Sequence, residues 1–225
     1  MRAAIFYAPA TDDPLWAAGS GWLGRDAATN IAQQQPSPKL ACLTQIPARY
    51  GFHATLKPPM RLAGSLACLA ADLAALAARM APFDLPPLRV GMIGDMLALL
   101  LSTPSPALQE LCDACVRDLD QHRRPADATE QARRRQTALS VREEALLARW
   151  GYPYVFDRWR FHMTLSSPLP ARIQPDRISL ARQYFAPSLA LPRRVEALSL
   201  FIQPDDNASF HLARRFALEK PSDCL

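Results

Sequence analysis

Glycine is scarce in this chain, with eight in 225 residues. No Gly-x4-Gly-Lys-Ser/Thr run, dinucleotide fingerprint, nucleophile elbow or His-Glu-x-x-His helix appears, which excludes the commonest nucleotide-cradling loops and zinc-hydrolase helices. Long apolar runs are missing too. Charged residues interrupt each of them, so no segment reads as a membrane span. The apolar stretch Ala3 to Pro9 is too short, and wrongly flanked by Asp12 and Asp13, for a secretory signal. Cysteine is limited to five residues without framework spacing, the pattern of reduced thiols in a cytoplasmic protein. Lysine is nearly absent: Lys39, Lys57 and Lys220 stand against 23 arginines, within a net charge of +5. A guanidinium-rich surface suits an anionic partner, because the planar fork binds phosphate in a bidentate manner.

What is present is a repeated pentad. Phe52-His53-Ala54-Thr55-Leu56 recurs as Phe161-His162-Met163-Thr164-Leu165, so two of the four histidines stand in one local setting. The likeness extends outward to an aromatic two residues before each Phe (Tyr50, Trp159) and a proline three residues after each Leu (Pro59, Pro168). In an extended strand alternate side chains face opposite ways. Phe52, Ala54 and Leu56 then turn to the core while His53, Thr55 and Lys57 share the other face. The second copy sends Phe161, Met163 and Leu165 inward and leaves Arg160, His162, Thr164 and Ser166 together. If the two copies face each other, two imidazoles and two hydroxyls converge on one cleft, with the imidazoles about 5–8 Å apart, enough to flank one phosphate.

Around the motifs, Arg2 to Ala8 reads as an opening strand and 25–46 as a Gln- and Pro-rich loop. The first motif strand is expected to end at Pro58-Pro59. Ser65 to Met80 reads as a helix, and Leu88 to Ile93 and Met96 to Ser102 as a hairpin turning at Gly94-Asp95. Helices follow over Pro106 to Leu119, Val141 to Trp150 and Asp176 to Phe185. Strands over Val195 to Gln203 and Phe210 to Leu218 close the chain. The expected fold class is α+β: one two-lobed domain over 1–225, with lobes interleaved, approximate halves 1–120 and 121–225, and pseudo-two-fold symmetry. Antiparallel sheets flanked by helices carry one motif strand per lobe. Cys112-x-x-Cys115 falls inside a helical pattern with no second ligand pair and reads as core packing. The Arg133-Arg134-Arg135 run suits either a solvated helix face or a phosphate-binding lid.

The stretches GFHATLKPP and RFHMTLSSP resemble the paired His-x-Thr signatures of the two-histidine (2H) phosphoesterase superfamily, which includes the 2',5' RNA ligase-like cyclic phosphodiesterases. With ALLARWGYPYVF, they also make the whole chain similar to a bacterial branch associated with phosphonate-metabolism operons. The resemblance implies a metal-independent phosphodiesterase without cofactor, in which His53 and His162 share the base and acid roles, in an order the sequence leaves open. It further implies that Thr55 and Thr164 bind the phosphate, with Lys57, Arg160, Tyr50, Tyr152 and Tyr154 as further substrate contacts. The implied partner is a small phosphorylated ribose or nucleotide, including the ribosyl cyclic phosphate of phosphonate catabolism, and no membrane. The alternatives are an RNA-end 2',3'-cyclic phosphodiesterase or 2',5' RNA ligase-like enzyme, and a non-catalytic nucleotide-binding module.

Overall fold

The structure is a computed structural model that describes residues 1–219 apart from 128, 129, 131, 133, 134, 136 and 137. Along these residues run β1 (Arg2–Tyr7), α1 (Pro14–Leu23), α2 (Ala41–Tyr50), β2 (Ala54–Arg61), α3 (Leu66–Ala78), β3 (Phe83–Leu85), β4 (Leu88–Ile93) and β5 (Met96–Leu101). They continue with α4 (Pro106–Asp118), α5 (Val141–Trp150), β6 (Met163–Thr164), α6 (Gln174–Leu189), β7 (Arg193–Val195), β8 (Ala197–Gln203) and β9 (His211–Ala217). Seven strands form one antiparallel sheet in the order β4-β5-β6-β2-β1-β8-β9, and β3 pairs with β7 in a second, two-stranded sheet. The fold is α+β, as the strand and helix patterns indicate.

The order of elements repeats once. A strand, two helices, a motif strand, a helix and two strands (β1-α1-α2-β2-α3-β3-β4) are followed by the same series (β5-α4-α5-β6-α6-β7-β8). The two motif strands lie side by side, and the equivalent short strands β3 and β7 pair with each other. Each series gives its last strand to the other's first, β4 to β5 and β8 to β1. The repeat therefore divides at the Gly94-Asp95 turn and not near residue 120. A hairpin looks like one local unit in sequence, yet here its turn joins the end of one repeat to the start of the next.

β1 shows why the sheet has two covered faces. Ala3, Ile5 and Tyr7 pack with the helices in the main core, while Ala4, Phe6 and Ala8 join Trp16, Phe201 and Phe210 in a second cluster. A strand covered on both sides loses the polar–apolar alternation and reads as an unbroken apolar run. α3 contributes Leu69, Leu73 and Leu76 at helical spacing, all fully buried, worth roughly 1.5–3 kcal/mol each relative to exposure. In α4, Cys112 and Cys115 are buried in the same core.

Two sequence expectations change. The supposed loop before the first motif ends in α2, which holds Pro47 inside it. Proline cannot donate to the carbonyl four residues back, and the Leu43 carbonyl so released accepts the Ser167 N–H at 2.7 Å. The first motif strand also runs past Pro58-Pro59 to Arg61. Its register against β1 shifts between Met60 and Lys57 and again between Lys57 and Thr55. Prolines are accommodated at such bulges because no ladder donor is required there.

Candidate active site

The register of the two motif strands builds the site. Ala54 pairs with Met163 in the antiparallel ladder between β2 and β6, and both side chains are buried on the helix-covered face. Continued by one residue each way, that register sets His53 opposite Thr164 and Thr55 opposite His162 on the other face. The two histidines are then diagonal neighbours, about 7–8 Å apart in an ordinary antiparallel ladder, with side chains somewhat closer.

Both rings are held by the same local device. His53 Nδ1 lies 2.9 Å from the Gly51 carbonyl, and His162 Nδ1 lies 2.8 Å from the Arg160 carbonyl, two residues upstream in each case. A carbonyl only accepts, so Nδ1 carries the proton and the neutral ring presents the Nε2 lone pair. Thr55 Oγ1 stands 3.2 Å from His53 Nε2 and donates to it. The Thr164 hydroxyl makes no such bond among the described residues. His53 also stacks on Phe6, with ring centroids 3.7 Å apart.

Burial pushes the His53 imidazole down to about 4; its bond to the Gly51 carbonyl opposes that shift, and the neighbouring His162 ring adds to it. Burial likewise lowers His162, opposed by its bond to the Arg160 carbonyl. Taking a cation out of water disfavours the charged ring, so both imidazoles are neutral at pH 7 while the cleft holds no anion. Two neutral imidazoles on one face of the strand pair, and two hydroxyls beside them, can exchange protons with a group placed between them.

The cleft consists of two communicating cavities. The first, about 360 Å³, is lined by His53, Thr55, Thr164, Tyr50 and Arg2 among others. The second, about 470 Å³, holds His162, Arg160, Tyr152 and Tyr154. Thr55, Pro58, Met96 and Tyr152 line both. Eight of the nine residues singled out from sequence thus line one or other of these adjoining cavities, His53 the first and His162 the second.

Lys57 is the exception. The bulge that follows Thr55 breaks the alternation and turns its side chain away from the histidine face. Its ammonium, 2% exposed as a residue, donates to the Val116 carbonyl at 3.0 Å and to Asp120 at 3.2 Å, beneath α4. The repeated aromatics have separate duties: Trp159 Nε1 donates to the Thr55 carbonyl at 2.8 Å, while Tyr50 stacks on Phe210. Sequence reasoning missed Phe6 and Arg2, because a strand without a motif carries no local signal of what it faces. In the arginine run, Arg135 pairs with Glu144 at 3.1 Å, whereas Arg133 and Arg134 lie outside the described residues. Among the described residues no three His, Cys, Asp or Glu side chains group as metal ligands, and no helix is long and apolar enough to cross a membrane.

Residues 55–211 match the family model described as "Protein of unknown function (DUF1045)". Two curated relatives are named "Ribose 1,5-bisphosphate phosphokinase PhnN". The protein from Laribacter hongkongensis is 38% identical over 219 residues, 95% of this chain and 51% of its own length. That from Janthinobacterium sp. strain Marseille is 37% identical over 222 residues, covering 93% and 49% respectively. The chain thus spans about half the length of the curated relatives it matches. Among solved structures, Escherichia coli LigT complexed with NADP+ aligns over 97% of this chain and 98% of that one, at 15% identity and a TM-score of 0.47. LigT complexed with 3'-AMP aligns over the same shares at 14% identity and a TM-score of 0.45.

Proposed function

The chain belongs to the DUF1045 family, and for it we propose metal-independent phosphodiester hydrolysis, with a ribose cyclic phosphate as substrate. The observation that carries this reading is the doubled site: two His Nε2 lone pairs and two Thr hydroxyls at the corners of one antiparallel strand pair. A cyclic phosphate anion entering between the rings stabilises an imidazolium, so one ring holds a proton while the other stays neutral. The neutral ring takes a proton from water as the water oxygen bonds to phosphorus. The protonated ring gives its proton to the ring oxygen as its bond to phosphorus breaks, and a phosphomonoester results. Thr55 and Thr164 bind the non-bridging oxygens, and Arg160 offsets the charge that grows there. Which histidine acts as base depends on which oxygen leaves.

A sugar phosphate also agrees with the relatives' name, since ribose 1,5-bisphosphate is a phosphorylated ribose. This chain has no Walker-type loop, so we assign the kinase chemistry of those longer proteins to their other half. The resemblance to the phosphonate-associated branch points to a ribosyl cyclic phosphate from carbon–phosphorus bond cleavage. An RNA-end reaction is the second reading, favoured by adjoining cavities that extend the cleft to either side of Thr55. It requires a continuous basic track, and Glu143 and Asp157 interrupt the His162 side.

The test is turnover of a 2',3'-cyclic nucleotide in EDTA. We expect ring opening that chelator leaves unchanged, with a loss of about 10²–10⁴-fold in His53→Ala and in His162→Ala. Activity lost in EDTA and restored by a divalent ion would replace the mechanism with metal-assisted hydrolysis. Binding without turnover would make the chain a nucleotide-binding module.

A further inference from the structure

The cleft does not end at Tyr50. Beyond it opens a further cavity of about 390 Å³ whose lining includes Arg49 and Arg61, and Arg2 and Tyr50 border both spaces. The arginines come from three elements: β1, α2 and β2. Arg2 and Arg61 are direct cross-strand partners, an arrangement in which like charges destabilise a sheet unless an anion sits against them. Within the protein that anion is Asp206. Its carboxylate lies 2.8 Å from Arg61 and 3.9 Å from Arg2, and its backbone carbonyl accepts from Arg49 at 2.8 Å. The Asp206 side chain is 64% exposed, so it can leave the guanidinium groups while Arg2 stays anchored elsewhere. Arg2 is held by Gln203 Oε1 at 2.6 Å and lies over the Phe210 ring at 5.5 Å. Asp127 and Glu130 complete the charged lining.

An unbroken line of rings joins this cavity to the site. Phe210 stacks on Tyr50 at 5.2 Å, and Tyr50 stands 6.3 Å from the His53 ring. A sugar lying along Tyr50 with its cyclic phosphate between the histidines would direct its far end toward Arg2.

We propose that the Arg2–Arg61 cavity is a second phosphate subsite, and that the substrate is a ribose carrying a phosphomonoester in addition to the reacting cyclic phosphate. The phosphomonoester takes the place of the Asp206 carboxylate between the two arginines. This proposal rests on the phosphodiesterase reading and sharpens it. The product is a ribose bisphosphate, the kind of compound a sugar-phosphate kinase consumes.

The test has a binding arm and a kinetic arm. Calorimetry should show that the protein binds ribose 5-phosphate at least tenfold more tightly than ribose. Arg2→Gln and Arg61→Gln should each remove most of that difference, because each loses a charge-assisted contact. Asp206→Asn, which weakens the internal competitor, should tighten binding. In turnover, a 5'-phosphorylated 2',3'-cyclic nucleotide should show a KM at least tenfold below that of the unphosphorylated one, and Arg61→Gln, which lies outside the cavity that holds His53, should remove most of the gap without slowing the unphosphorylated substrate. Equal affinities for ribose and its 5-phosphate, or an undiminished difference in both Arg variants, would overturn the subsite. Tighter binding of a short RNA than of the sugar phosphate, dependent on the same arginines, would overturn the small-molecule assignment. Arginine-dependent binding without ring opening would leave the subsite standing and remove the phosphodiesterase reading. Ring opening indifferent to the 5'-phosphate would do the reverse.

Discussion

His53 and His162 differ from ordinary surface histidines in one respect that sets their chemistry. Each is partly withdrawn from water and tied through Nδ1–H to its own backbone, so its basic nitrogen is presented in a fixed direction. The pH dependence follows. kcat/KM reports groups in the free enzyme and kcat those in the complex. Burial lowers both rings in the free protein, so the protonated acid is present only on the acid side of pH 6.5, the ordinary histidine value. The kcat/KM optimum should therefore lie at acidic pH, and the kcat optimum should lie higher because the bound anion favours imidazolium. Initial rates from pH 4 to 9 check this, and coincident optima would count against an anion between the rings. The two limbs belong to the pair and not to either residue. Thr55→Ala and Thr164→Ala should cost less than either histidine substitution, since each removes one neutral hydrogen bond.

At the scale of elements, the helix before the first motif aims the histidine. α2 ends at Gly51, whose φ of 80° and ψ of 178° suit glycine, and whose carbonyl receives His53 Nδ1–H. A Cβ added there would meet Ala27 Cβ at 2.5 Å. Gly51→Ala should cost on the order of 1–3 kcal/mol and lower kcat along with it, read by urea denaturation and initial rates. An unchanged kcat would show that this turn does not position the ring. The bulge in β2 has a different product, the buried Lys57–Asp120 pair, in which Arg123 also donates to Asp120 at 2.8 Å. Asp120→Ala leaves a buried ammonium unpaired and should destabilise by about 3–5 kcal/mol. Lys57→Met should cost less, because Arg123 keeps Asp120 paired. Equal losses in urea would contradict this ranking.

For the whole molecule, the neutral histidines link folding to pH. The folded His53 value of about 4 lies below the unfolded value of about 6.5. Between these the unfolded chain binds more protons, so stability falls as pH drops from about 6.5 to about 4, and this group adds no further loss below that. Replacing His53 with Asn should flatten the fall; denaturant midpoints at pH 7, 6 and 5 measure it. The seven-stranded sheet shared by both repeats has a second consequence. β4 with β5 and β8 with β1 cross between repeats, so neither repeat has a complete sheet of its own.

The sequence by itself determined which residues of each pentad share a face. A strand period of two separates Phe, Ala and Leu from His and Thr within each pentad, and a repeated pentad yields equivalent faces whatever surrounds it. Composition and periodicity also marked α3, α4 and α5, and in the structure Ser65, Ser105 and Ser140 accept from the first turn of each helix. Only the tertiary structure decided how the copies are joined. Ala54 pairs with Met163 across 109 positions of chain, and no local propensity encodes a partner at that distance. The fate of Lys57 likewise turned on one extra residue in β2 opposite β1, which inverts a side chain's face without leaving a mark in its own strand. Arg2 gained a role only by lying opposite Arg61, because charge is read along a chain one residue at a time but acts between neighbours in space.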